Sequence, residues 1–264
     1  MEYRTCQGVS LAYDDTGGEG APLVFVHGLG CDHTDFAPQV AHFRGAHRVI
    51  AVDLRGHGQS DQPASDYAVP DLADDVACLC DGLGLAQPVV VGHSLGGQIA
   101  IELAARHPTL PTAIVALDAA IVPPARFAAA LPPITAGLRT PAYRDVLRGF
   151  FARAFAPLDD AERKDHILDR LAALPQGVLI PLWDGFAAWD GAAAAWACQV
   201  PALYVDHGTP NCDLDRLRAL CPHLIDGKTV GAGHWAMLEV PGQVNAMIDR
   251  FLACIRNRGA AWQR

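Results

Sequence analysis

The chain has 264 residues, 51% hydrophobic and 19% charged, which suits one sizeable buried core and excludes a disordered tail. A formal net charge of −9, with no cluster of Lys and Arg, argues against a nucleic-acid-binding face. The start, Met1 to Thr5, lacks a signal peptide's apolar run, and nothing approaches the roughly 18 apolar residues of a membrane span. A cytoplasmic protein with its eight cysteines as reduced thiols is therefore expected.

In chain order, Tyr3–Tyr13 reads as a small antiparallel hairpin. Pro22–Val26 is a short apolar run ending at His27-Gly28, and Arg48–Val52 is another, ending at Asp53. Leu72, Val76, Leu79 and Leu83 recur at helical spacing, and Gly84 supplies a stop. Within that helix Cys78 and Cys80 face different ways and have no second pair at zinc spacing, so no metal site is expected. Pro88–Val91 is a third strand, followed by a helix from Ser94 to Arg106. Thr112–Leu117, Ala202–Val205 and the weaker Lys228–Val230 complete the strands, and a last helix runs from about Pro241 to Ile255. Continuous β-branched runs alternating with amphipathic helices indicate a mostly parallel sheet covered on both faces. Residues 121–198 break the alternation: they hold no convincing strand and are rich in Ala, Leu, Pro and aromatics. A long structureless loop is improbable in a compact domain, so this stretch reads as a helical cap inserted into a core of residues 1–120 and 199–264.

The chemistry centres on Gly92-His93-Ser94-Leu95-Gly96, a G-x-S-x-G set between a strand and a helix. Small flanking residues let strand and helix approach, and the turn lifts the serine hydroxyl over the sheet edge beside the helix N-terminus. With His27-Gly28-Leu29-Gly30, Asp53 to Ser60, and Gly231-Ala232-Gly233-His234 followed by Glu239-Val240-Pro241, the chain resembles the α/β-hydrolase family over nearly its whole length. That resemblance, in its serine esterase and lactonase-like branch, implies a mostly parallel eight-stranded sheet flanked by helices. It also implies Ser94 as nucleophile, His234 as general base, and the backbone N–H groups of Leu29 and Leu95 as the oxyanion hole.

The acid stays open between three residues. The family usually places it after the strand at Ala202–Val205, which would select Asp213 or Asp206, but the spacing there departs from the usual pattern. Asp118, at the end of the strand after the elbow helix, is the leading choice. Trp183, Phe186 and Trp189, with Phe127 and Phe150, are candidates to line an apolar substrate pocket. The expected function is hydrolysis of a small-molecule ester or lactone through an acyl-enzyme, without cofactor or metal. A C–C bond hydrolase or a perhydrolase would use the same triad, and a ligand-binding receptor on a hydrolase scaffold is the non-enzyme alternative. The expected partner is a small-molecule substrate rather than nucleic acid or membrane, with a homodimer left open.

Overall fold

The computed structural model describes residues 1–65 and 67–257. Strands β1 (Glu2–Cys6) and β2 (Val9–Asp15) form the N-terminal hairpin, turning at Gln7 and Gly8, both with positive φ. They are followed by β3 (Leu23–Val26), β4 (Val49–Val52), β5 (Val89–His93), β6 (Ala113–Leu117), β7 (Ala202–Asp206) and β8 (Leu224–Lys228). The eight strands form one sheet in the order β1-β2-β4-β3-β5-β6-β7-β8. The two pairings of β2 are antiparallel and the rest are parallel, as the resemblance implies.

The last strand corrects the sequence reading. It lies at Leu224–Lys228 rather than Lys228–Val230. Its Asp226, Gly227 and Lys228 sit on the sheet's edge, so it lacks the apolar run that marks a buried strand. Val230 has already turned outward, its N–H donating to Gln243 Oε1.

The helices are α1 (Ala37–Phe43), α2 (Val69–Gly82), α3 (Leu95–Arg106), α4 (Ala125–Leu138), α5 (Tyr143–Phe151), α6 (Ala161–Ala173), α7 (Gln176–Ala188), α8 (Gly191–Ala197), α9 (Leu214–Leu220), α10 (Ala236–Glu239) and α11 (Pro241–Asn257). Side chains alternate across each strand, so Val24 and Val26 enter one core with α2 and α3, while Leu23 and Phe25 enter the other with α1 and α11. Helix α2 begins well because Pro70 sits in its first turn and the Asp71 carboxylate accepts the N–H of Ala68. Among the described residues no single helix is long and apolar enough to cross a membrane.

Helices α4 to α8 all fall between β6 and β7. Helix α6 is clasped to the loop after β3 by Arg170, which donates to Gly30 O at 3.1 Å and pairs with Asp32 and Asp35. Helix α8 lies differently, with Ala194 and Ala195 in the same core as Ile99 and Leu103 of α3.

One cysteine pair corrects the expectation of reduced thiols. Cys6 on β1 and Cys78 on α2 form a disulfide across a separation of 72 residues. Nothing in the spacing announces it, because the contact exists only once the hairpin and α2 lie side by side. The argument from thiols to a cytoplasmic location goes with it.

Candidate active site

The tight junction between β5 and α3 builds the turn that carries Ser94. Ser94 has φ 53° and ψ −115°, a left-handed backbone that an L-residue adopts only when its surroundings impose it. A side chain at Gly92 would collide with Gly96 O, and one at Gly96 with Val26 O. Only glycine lets strand and helix meet here.

Asp118 follows β6 and is also held at positive φ, 45°, with its N–H donating to Val205 O at 2.8 Å. His234 lies in the loop after β8. Its Nδ1 donates to Asp118 Oδ2 at 2.6 Å, and the pair is buried. Of the three candidate acids, Asp118 is the one brought to His234. Asp206 instead accepts the N–H of Gly208, and Asp213 caps α9 by accepting the N–H of Arg216 at 3.1 Å. Two further donors reach the same Asp118 oxygen: His207 Nε2 at 3.2 Å and Asn211 Nδ2 at 3.1 Å. Burial by itself would raise the Asp118 carboxyl, but the hydrogen bonds from His207 and His234 outweigh it and hold the group below the usual carboxylate range.

Neutral imidazoles and one carboxylate brace the loops around this pair. His93 donates through Nε2 to the carbonyl of His234 at 2.9 Å, and burial followed by the neighbouring His234 pushes its pKa well down. His27 accepts the N–H of Leu54 at 3.0 Å, and His57 accepts that of Gly30 at 3.0 Å. Burial keeps both neutral, His57 titrating at about 3. These two rings tie the His27–Gly30 loop to the Asp53–Ser60 loop. They leave the Leu29 and Leu95 N–H groups without a protein acceptor among the described residues.

Glu239 holds the His234 loop from below. Its carboxylate accepts the N–H groups of Gly233 at 2.7 Å and Trp235 at 3.2 Å, the residues on either side of His234. It also accepts that of Ala156 at 3.4 Å, while His234 N donates to Ala154 O. Glu239→Ala would leave these donors unpaired, a cost of about 1–3 kcal/mol. A lower urea midpoint is therefore expected together with slower phosphonylation of Ser94. Labelling at the wild-type rate would show that the loop holds its shape unaided.

Ser94, Asp118 and His234 open into one cavity of about 770 Å³, lined also by Leu29 and Leu95. Trp183, Phe186, Phe127 and Phe150, all candidates from the sequence, line it, and Phe151 joins them. Trp189 is a correction: it does not line the cavity, and its indole N–H donates to Glu102 of α3 at 2.8 Å, fastening α8 to the core side. His207, Asn211, Thr209 and Arg153 line the cavity unanticipated. Nothing in the spacing marked them, because they come from irregular loops.

The family model for the alpha/beta hydrolase fold matches residues 21–174. The chain belongs to that family. This α/β hydrolase is 39% identical over 101 residues to the 2-(acetamidomethylene)succinate hydrolase of Mesorhizobium japonicum. That match takes in 38% of this chain and only 36% of the relative's length. Solved structures extend the likeness to the whole fold. Est816, an N-acyl homoserine lactone degrading enzyme, superposes with TM-score 0.85 at 25% identity, covering 95% of this chain and all of that one. The enol-lactonase from Burkholderia xenovorans LB400 gives 0.84 at 25% identity, covering 96% of this chain and all of the other.

Proposed function

We propose that this α/β hydrolase cleaves a small-molecule ester or lactone through an acyl-enzyme on Ser94. His234 acts as general base and Asp118 orients it. The observation that carries the reading is the 2.6 Å hydrogen bond from His234 Nδ1 to Asp118 Oδ2, at the wall of the cavity Ser94 opens into. With Nδ1–H engaged, Nε2 is left to take the Ser94 proton as Ser94 Oγ attacks the acyl carbonyl. The oxyanion then rests on the N–H groups of Leu29 and Leu95. His234 returns the proton to the departing alkoxide, and a water activated by the same imidazole releases the acid. The aromatic wall of Phe127, Phe150, Trp183 and Phe186 suits an apolar portion of the substrate. In this reading α4 to α7 act as a cap over the site. Likeness to a lactone-degrading enzyme and an enol-lactonase supports the lactone side of the proposal.

Arg153 adds a charge preference. It lines the cavity, and among the described residues no carboxylate pairs with it, although Asp145 lines the same space. A panel of p-nitrophenyl esters and lactones tests the reaction class, and turnover of none would overturn it. Within that panel, substrates carrying a carboxylate are expected to show KM about fivefold lower than neutral isosteres, the upper end for an exposed ion pair. Arg153→Gln should abolish the difference.

A further inference from the structure

Three N–H donors converge on a single oxygen of Asp118. His234 Nδ1 lies at 2.6 Å, Asn211 Nδ2 at 3.1 Å and His207 Nε2 at 3.2 Å, all from Oδ2. The other oxygen, Oδ1, is buried and has no partner among the described residues. A carboxylate oxygen offers two lone pairs, so three donors on it compete. Whatever strengthens the hold of His207 weakens that of His234.

We propose that His207 is a positioning residue for the Asp118–His234 pair. With Asn211 it fixes the carboxylate against the imidazole, and its charge tempers how strongly that carboxylate favours protonated His234. The proposal rests on Asp118 being the acid and His234 the base.

The backbone explains why His207 is available. It is the first residue after β7, beside the tip of β6 where Asp118 sits, and its side chain is 18% exposed at the cavity. In this chain the loop after β7 presents two hydrogen-bond donors to the acid instead of a carboxylate to the base. The groups facing His207 are Asp118 beyond β6, Asp206 on β7, Glu239 at the end of α10, and His234 across Asp118. Lys228 of β8 lies over the neighbouring Gly208. The hydrogen bond to Asp118 raises the His207 pKa from its ordinary value, against a smaller opposing effect of burial.

The sign follows from electrostatics. A cation on the far side of Asp118 offsets the carboxylate's field at His234 and opposes a second positive charge there. Removing that cation lets Asp118 act on His234 alone. The acid limb of activity should then move to higher pH, by about one unit for a charge at this separation in a partly solvated site.

The rate of Ser94 phosphonylation by a small fluorophosphonate, followed against pH, reads this without knowledge of the substrate. His207→Leu removes both donor and charge, and is expected to shift the acid limb upward by about one pH unit and to lower the plateau rate about tenfold. His207→Gln keeps an N–H donor without the charge, so it should restore most of the plateau and leave the limb shifted. The far-downfield proton resonance of the His234–Asp118 hydrogen bond should move in His207→Leu in the resting enzyme. If both variants keep the wild-type limb while Asp118→Asn loses its activity, the role of His207 is overturned and the triad stands. If Asp118→Asn keeps wild-type activity, the triad itself fails and the proposal with it.

Discussion

Ser94→Ala is expected to fold as the wild type does and to lose turnover by about 10⁴- to 10⁶-fold, the range found when a triad nucleophile is removed. That loss corresponds to about 5.5–8 kcal/mol of transition-state stabilisation. Folding survives because the hydroxyl contributes no side-chain cap to α3, while the Ser94 carbonyl, which accepts the N–H groups of Gly97 and Gln98, is untouched. Alanine also tolerates the left-handed backbone no worse than serine. The measurements are a urea unfolding curve, turnover of a p-nitrophenyl ester, and fluorophosphonate labelling followed by mass spectrometry. Labelling that persists on the variant would locate the nucleophile elsewhere.

Asp118→Asn should be nearly as damaging, with a loss of about 10⁴-fold. An amide in place of the carboxylate can present an N–H to His234 Nδ1, stabilising the wrong tautomer, and it cannot offset the imidazolium charge. Asp206→Asn and Asp213→Asn form the control. Asp206 accepts the N–H of Gly208 and Asp213 caps a short surface helix, so neither touches His234. Each is expected to stay within about tenfold of wild type, with changes in stability of about 1 kcal/mol at most. A large loss confined to Asp213→Asn would require the loop after β7 to rearrange in solution and would displace Asp118 from the mechanism.

The glycine-rich elbow, the His27-Gly28 turn and the Gly233-His234 pair were legible in the sequence because their chemistry is local. A turn that only glycine fits, placed between a strand and a helix, announces itself in five residues. The acid was less legible, since Asp118 and Asp213 both end plausible elements, and only the register of β6 against β7 brings one of them to His234. His207 and Asn211 were not legible as parts of the site at all, and Glu239 stood out only within the family motif, not for its hold on the His234 loop. Their roles depend on where irregular backbone ends after folding, and a histidine in a loop carries no periodic signal. Trp189 shows the converse error: an aromatic close in sequence to pocket residues Trp183 and Phe186 turned away to bond Glu102. Helix α8 follows the same logic, since its alanines fit against α3 as readily as they would fit a lid.

Two of the three residues of the proposed triad stand on left-handed backbone, Ser94 at φ 53° and Asp118 at φ 45°. Glycine would occupy either place with less strain, each non-glycine residue in such a region carrying about 1–3 kcal/mol. A descendant relieved of selection for turnover would thus have a downhill route toward glycine at both sites, gaining robustness as it lost reactivity. Stabilising libraries built on this scaffold would meet the same pull, and a screen that scores only heat resistance would favour inert clones.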